Sequence, residues 1–148
     1  MLKPLEQWIC DSCGKVIETH EKGMLIWCEN HPEFGTEFRI VHKGSCDNNR
    51  DVYNLSWEIH WCLGNDGLSN LLSLLSAGPL IASAGADSSK IFEKHLPHFV
   101  DLMRRLQIPY YEEARQKFTN PDVLDEFSDA NEVAPYQKES LLKIIKKF

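Results

Sequence analysis

Trp8-Ile9-Cys10-Asp11-Ser12-Cys13-Gly14-Lys15-Val16-Ile17 is the stretch on which the reading of the chain turns. Two cysteines separated by two residues in a tight turn can place both thiolates on one metal ion, and the glycine that follows permits the left-handed backbone such a turn needs. The apolar pairs on either side, Trp8-Ile9 and Val16-Ile17, suit short strands entering and leaving the turn. Strands on both sides also argue against a thioredoxin-like redox pair, which requires a strand-to-helix turn.

Outward from this turn, a closed structural metal site needs four ligands, so a second pair is expected. Two candidates compete. Cys28-Glu29-Asn30-His31 follows Cys13 after fourteen residues, close to the usual spacing of about 15–20. His42-Lys43-Gly44-Ser45-Cys46 follows after twenty-eight, but it has its own glycine turn. It also leaves Glu37-Phe38-Arg39-Ile40-Val41-His42, the best strand signal of the region, and a strand holds a terminal ligand more firmly than a polar loop does. The preferred set is therefore Cys10, Cys13, His42 and Cys46 around a structural Zn2+, with Cys28 a small buried hydrophobe at a strand end. The nearer pair, the mixed set Cys10, Cys13, Cys28 and Cys46, and metal-free reduced cysteines stay open. Residues 8–17 resemble the rubredoxin-like knuckle of zinc ribbons, a likeness that extends over residues 8–46. The resemblance implies a structural metal and no particular activity, because ribbons occur in unrelated proteins.

Composition bounds the rest. The chain has 148 residues, 43% of them apolar, enough for a self-supporting core and too many for a disordered chain. Its net charge of −6 argues against a general phosphate-backbone binder. Five cysteines cannot all pair within the chain. The first residues lack the apolar segment of a secretory signal, so a reducing cytoplasm is expected, where cysteine pairs bind metal more often than they form disulfides. The uncharged stretch from Gly67 to Ala86 has membrane-spanning length, but nine of its twenty residues are Gly, Ser, Asn or Pro. No membrane contact is expected of it.

Residues 1–50 contain four of the five cysteines and the strand signals, whereas 51–148 read as helices separated by Gly and Pro. Leu55, Ile59, Cys62 and Leu63 predict one helix that Gly64 ends, and Leu68, Leu71, Leu72 and Leu75 predict another after an Asn65-Asp66-Gly67 turn. Pro97 and Pro109 stand where helices begin, ahead of Phe99-Leu102-Met103-Leu106 and of Tyr110 to Phe118. Leu141, Ile144, Ile145 and Phe148 make the last stripe, with Glu139 four residues before Lys143. The expected fold is α+β: a small N-terminal zinc-bound antiparallel β module (1–50), then a helical domain of four to six helices (51–148), with room for the two to share one core.

Other polar residues have plain explanations. Trp57 and Trp61 would share a helical face that packs inside in preference to presenting a binding surface. His95 and His98 flank a helix start, and a second metal there is disfavoured. Glu112 and Glu113 suit the dipole of a helix N-terminus. Tyr110, Tyr111 and Arg115 form a packing group or a binding patch. The acids from Asp122 to Glu132 and the lysines from Lys138 to Lys147 can partly neutralise each other. No phosphate loop, nucleophile elbow or metalloprotease motif is present. An accessory or regulatory protein that binds another protein is the leading expectation, with no catalytic residues assigned. A nucleic-acid-binding ribbon comes second, disfavoured because residues 1–50 carry six Lys or Arg against eight acids. A zinc-dependent hydrolase comes third, since only Glu29 and Asp47 lie near the ligands as candidate bases.

Overall fold

The computed structural model describes residues 1–28, 37–48, 50–76, 78–80 and 95–148. The knuckle stretch folds as a minimal hairpin. β1 (Trp8–Ile9) and β2 (Val16–Ile17) pair antiparallel, with Trp8 opposite Ile17, and both of those side chains are buried. A second sheet has the order β4-β3-β5, from β3 (Gly23–Trp27), β4 (Phe38–His42) and β5 (Leu55–Glu58), with both pairings antiparallel. Central β3 puts Leu25 opposite both Ile40 and Trp57, and its buried run of Leu25, Ile26 and Trp27, whose side chains alternate between faces, means that both faces of the strand are covered there.

One expectation fails here. Leu55 to Leu63 is not a helix: Leu55–Glu58 forms the edge strand β5, Ile59–Cys62 forms a 3₁₀ turn, and α1 (Gly64–Ser73) starts at the glycine predicted to end the helix. Leu55-Ser56-Trp57-Glu58 alternates apolar and polar, so over four residues the strand and helix periods fit equally well. The unpaired edge of β3 decides between them, by offering backbone hydrogen bonds that no short helix replaces. Trp57 and Trp61 therefore share no helical face. Trp57 packs edge-on to Trp27 at 5.2 Å between ring centroids, and Trp61 is 51% exposed. Gly67, expected in a turn, lies inside α1, where a Cβ would come within 2.2 Å of the Cys62 carbonyl carbon. Close packing of α1 on the 3₁₀ turn, rather than a turn conformation, explains this glycine.

Four further α-helices follow: α2 (Leu96–Gln107), α3 (Tyr111–Ala114), α4 (Pro121–Glu126) and α5 (Lys138–Lys147). Pro97 lies in the first turn of α2, and the Asn120 side chain caps α4 by accepting the Asp122 N–H at 2.9 Å. Lys143 pairs with Glu126 of α4 instead of with Glu139. The described residues are thus α+β, with two apolar cores. One joins the sheets to α1 and α2 through Trp8, Leu25, Ile40, Leu71, Phe99 and Leu102. The other gathers Tyr111, Ala114, Val123, Leu141, Ile144 and Ile145 from α3, α4 and α5. Among the described residues no helix is long and apolar enough to cross a membrane, and residues 77 and 81–86 of the uncharged stretch lie outside them.

Candidate metal centre

The β1–β2 turn supplies Cys10 and Cys13, while the end of β4 and the turn after it supply His42 and Cys46. Backbone pairing brings the two turns together. Asp11 N–H donates to Ile40 O at 2.8 Å, and Ile40 N–H donates to the Asp11 carboxylate at 2.7 Å, which fastens the first knuckle along β4. The knuckles are alike. Gly14 N–H donates to Cys10 O at 2.9 Å and Cys46 N–H to His42 O at 3.1 Å, and their glycines, Gly14 and Gly44, have φ of +70° and +80°. That backbone region is open to glycine and strained for other L-residues.

One ligand atom from each of Cys10, Cys13, His42 and Cys46 lies within 4.8 Å of all the others. His42 Nδ1 is 3.5 Å from Cys13 Sγ and 3.9 Å from Cys46 Sγ. A tetrahedron with metal–sulfur bonds of about 2.3 Å has edges of about 3.8 Å, so the spacing is right for one four-coordinate ion. The other ring nitrogen, Nε2, donates to Val16 O at 3.1 Å, which leaves the Nδ1 lone pair directed at the sulfurs, the usual second contact of a metal-binding histidine. Cys10 is buried, His42 and Cys46 are half-buried, and Cys13 is exposed, so the centre lies at the rim of the core.

Electrostatics distinguish the thiols. Burial alone would raise the Cys10 thiol, but hydrogen bonds from the Cys13, His42 and Ser12 amides and from the His42 side chain outweigh it and bring the thiol down to about 6. The Lys15 amide favours the Cys13 thiolate, yet desolvation and the neighbouring Cys10 and Cys46 sulfurs hold that thiol above its ordinary value. Thiolates crowded in this way are relieved by a cation among them. Cys62 is different: burial pushes it up to about 12, the state of an inert core thiol.

The four residues preferred from sequence are therefore placed to hold a metal ion. Cys28 stands apart from them at the end of β3, 2% exposed in the first core, and His31 and Glu29 lie outside the described residues. His98 lines a polar cleft of about 250 Å3 with Arg39, Asp101 and Arg115. Among the described residues, Cys10, Cys13, His42 and Cys46 make the one cluster of metal donors.

What the sequence reading missed is the support behind the first knuckle. Arg105 of α2, 3% exposed, reaches Glu112 of α3 with Nε at 2.7 Å and Nη2 at 3.0 Å. Its Nη1 bonds Asp11 between the two knuckle cysteines at 2.7 Å, and its Nη2 bonds Ile9 O at 3.2 Å. Glu112, expected to complement a helix dipole, is 6% exposed and also accepts the Ile9 N–H at 2.9 Å. Burial alone would lower the Arg105 guanidinium, but Glu112 and Asp11 more than offset this and raise it further. Tyr111 is buried and donates to Asp101 at 2.5 Å, whereas Arg115, at the polar cleft, contacts the same carboxylate at 3.5 Å. No local pattern marks Arg105: it sits 94 residues from Asp11, and only the packing of α2 on β1 joins them.

Comparison with protein-family models, curated proteins and solved structures finds no match for this chain.

Proposed function

We propose that this chain is a zinc-stabilised interaction protein, in which Cys10, Cys13, His42 and Cys46 hold one structural Zn2+ in a ribbon-like pair of knuckles and the helices present surface to another protein. One observation carries the proposal: three thiols and an imidazole converge at tetrahedral spacing, with the imidazole oriented by Val16 O. Three sulfurs and one nitrogen form a donor set that favours zinc. Four protein donors fill a tetrahedral shell and leave no position for a reacting water, which suits a structural ion rather than a catalytic one. The ion would cross-link the β1–β2 turn to the exit of β4. The protein-binding role rests on the absence of a catalytic motif in the sequence, and the acidic balance favours a protein partner over nucleic acid. A reducing cytoplasmic setting, in which thiolates persist, fits the same chemistry.

The test is native mass spectrometry of the purified chain, with one zinc per chain expected, followed by cobalt substitution. A tetrahedral thiolate–cobalt spectrum without exchangeable water is expected. A folded chain that binds no metal overturns the zinc assignment, and a spectrum with exchangeable water overturns its structural role.

A further inference from the structure

The first knuckle is carried by strands of two residues each, whereas the second leaves a strand of five. Strands that short fix little by themselves. What holds the first knuckle comes from the far half of the chain. Ile9 gives its N–H to Glu112 Oε1 at 2.9 Å and receives Arg105 Nη2 on its carbonyl at 3.2 Å. These are the groups by which a third strand would pair with β1, because the next N–H, that of Cys10, donates across the hairpin to Lys15 O. A buried ion pair stands in for a strand along that edge.

Arg105 also reaches past Cys10. Its Nη1 bonds the Asp11 carboxylate at 2.7 Å, and its carbonyl accepts the Trp8 indole N–H at 3.2 Å. Cys10 is thus flanked on both sides by residues that Arg105 holds, and Asp11 leads through Ser12 to Cys13. Arg115 is the other cation near Asp11, but at 4.0 Å it is beyond hydrogen-bond reach. The bonds of Arg105 to Glu112, Asp11 and Ile9 leave one planar fork in different directions, which a lysine ammonium cannot reproduce.

We propose that Arg105, seated on Glu112, is the positioning residue of the metal centre: it holds the Cys10–Cys13 turn closed on its ion and sets how slowly the ion is released. This role rests on the zinc reading above and places control of the ion outside the ligand set. Groups that orient metal ligands from behind change metal affinity about 10–100-fold when they are removed. Affinity changes among variants of one site fall mostly on the rate of departure. A general loss of stability acts differently, since it lowers the unfolding midpoint without opening this turn in particular.

The experiment loads the full chain with cobalt and follows the decay of its thiolate–cobalt absorption in excess EDTA. Arg105→Ala is expected to release the ion about 10–100-fold faster than wild type. Arg105→Lys, which keeps the charge without the fork, is also expected to be faster than wild type, by less. Leu71→Ala, at a fully buried position in α1 of the same core, is the control: its urea midpoint should fall while release keeps the wild-type rate. Should Arg105→Ala fail to fold, Arg105→Met with Glu112→Gln takes its place, because it removes the fork without leaving Glu112 charged and buried. Faster release is expected there too. Wild-type release from the folded Arg105 variants overturns the proposal. Equal acceleration in Leu71→Ala also overturns it, by tracing the effect to general stability. The wild-type chain separates this role from the zinc reading. A chain that takes up neither cobalt nor zinc overturns both, whereas an ion bound as expected and released at one rate by all variants overturns the role of Arg105 alone.

Discussion

The two cores of this molecule are held by different means. The first, around Trp8, Leu25, Ile40 and Phe99, is closed at one rim by Cys10, Cys13, His42 and Cys46, and it is backed by the buried Arg105–Glu112–Asp11 network. The second, around Tyr111, Val123, Leu141 and Ile144, is held by apolar contacts, aromatic edges such as Tyr111 on Phe118, the Tyr111–Asp101 hydrogen bond and exposed ion pairs, with no metal-donor cluster among its described residues. Short strands explain the contrast. β1 and β2 are two residues each and form few backbone bonds, so their geometry needs an external clamp. An amphipathic helix such as α5 satisfies its own backbone and needs only a face to bury.

All four tryptophans, Trp8, Trp27, Trp57 and Trp61, precede α2, so their fluorescence reports the first core while the amides of α5 report the second. The largest effect is expected from Cys13→Ser. Structural zinc in small folded units contributes an apparent binding free energy of about 10–16 kcal/mol, and losing a ligand forfeits much of it. Tryptophan fluorescence should then change under conditions where α5 amides stay protected; simultaneous loss of both signals would show that the cores are one cooperative unit.

Arg105→Ala comes next. It leaves Asp11 and Glu112 partly buried without their cation, an effect of about 3–5 kcal/mol, readable as a fall in the urea midpoint. Pairing Arg105→Met with Glu112→Gln should recover part of this loss, and no recovery would place the effect in packing rather than charge. Leu141→Ala, at a fully buried position, should remove about 2–5 kcal/mol from the second core and leave metal content unchanged. Zinc release from that variant would break the comparison.

The smallest effect is expected at Glu126. Lys143 and Lys147 hold its carboxyl down at about 2 from an ordinary 4.5. A lowered folded value means that the pairing contributes fully above pH 4.5 and is lost as pH falls towards 2. Both partners are at the surface, so solvent screening keeps the effect small. A fall in the protection factors of α5 amides (exchange relative to the intrinsic rate at each pH) through that window, absent in Glu126→Gln, is the measurement.

Much of the candidate site was legible. Cys10, Cys13, Gly14 and Gly44 carry local signals, because a knuckle is a tight turn whose backbone and ligand spacing are set within five residues. The choice of His42 and Cys46 over Cys28 followed from strand position, and the structure places Cys28 in the core at the end of β3. The stripes of α2 and α5 were equally plain, since ten or more residues separate the helical period from the strand period. Leu55 to Glu58 was not legible as a strand, because four residues cannot separate those periods and the edge of β3 made the choice.

The sequence by itself determined the turns, the amphipathic faces and the residue types able to bind a soft cation, all properties of neighbours along the chain. Only the tertiary structure decided that β5 is a strand, that Glu112 is buried, and that Arg105 reaches the Asp11 knuckle from the far half of the molecule. Those outcomes depend on which surfaces meet, and a buried charge is tolerable only where distant segments bring its partners to it.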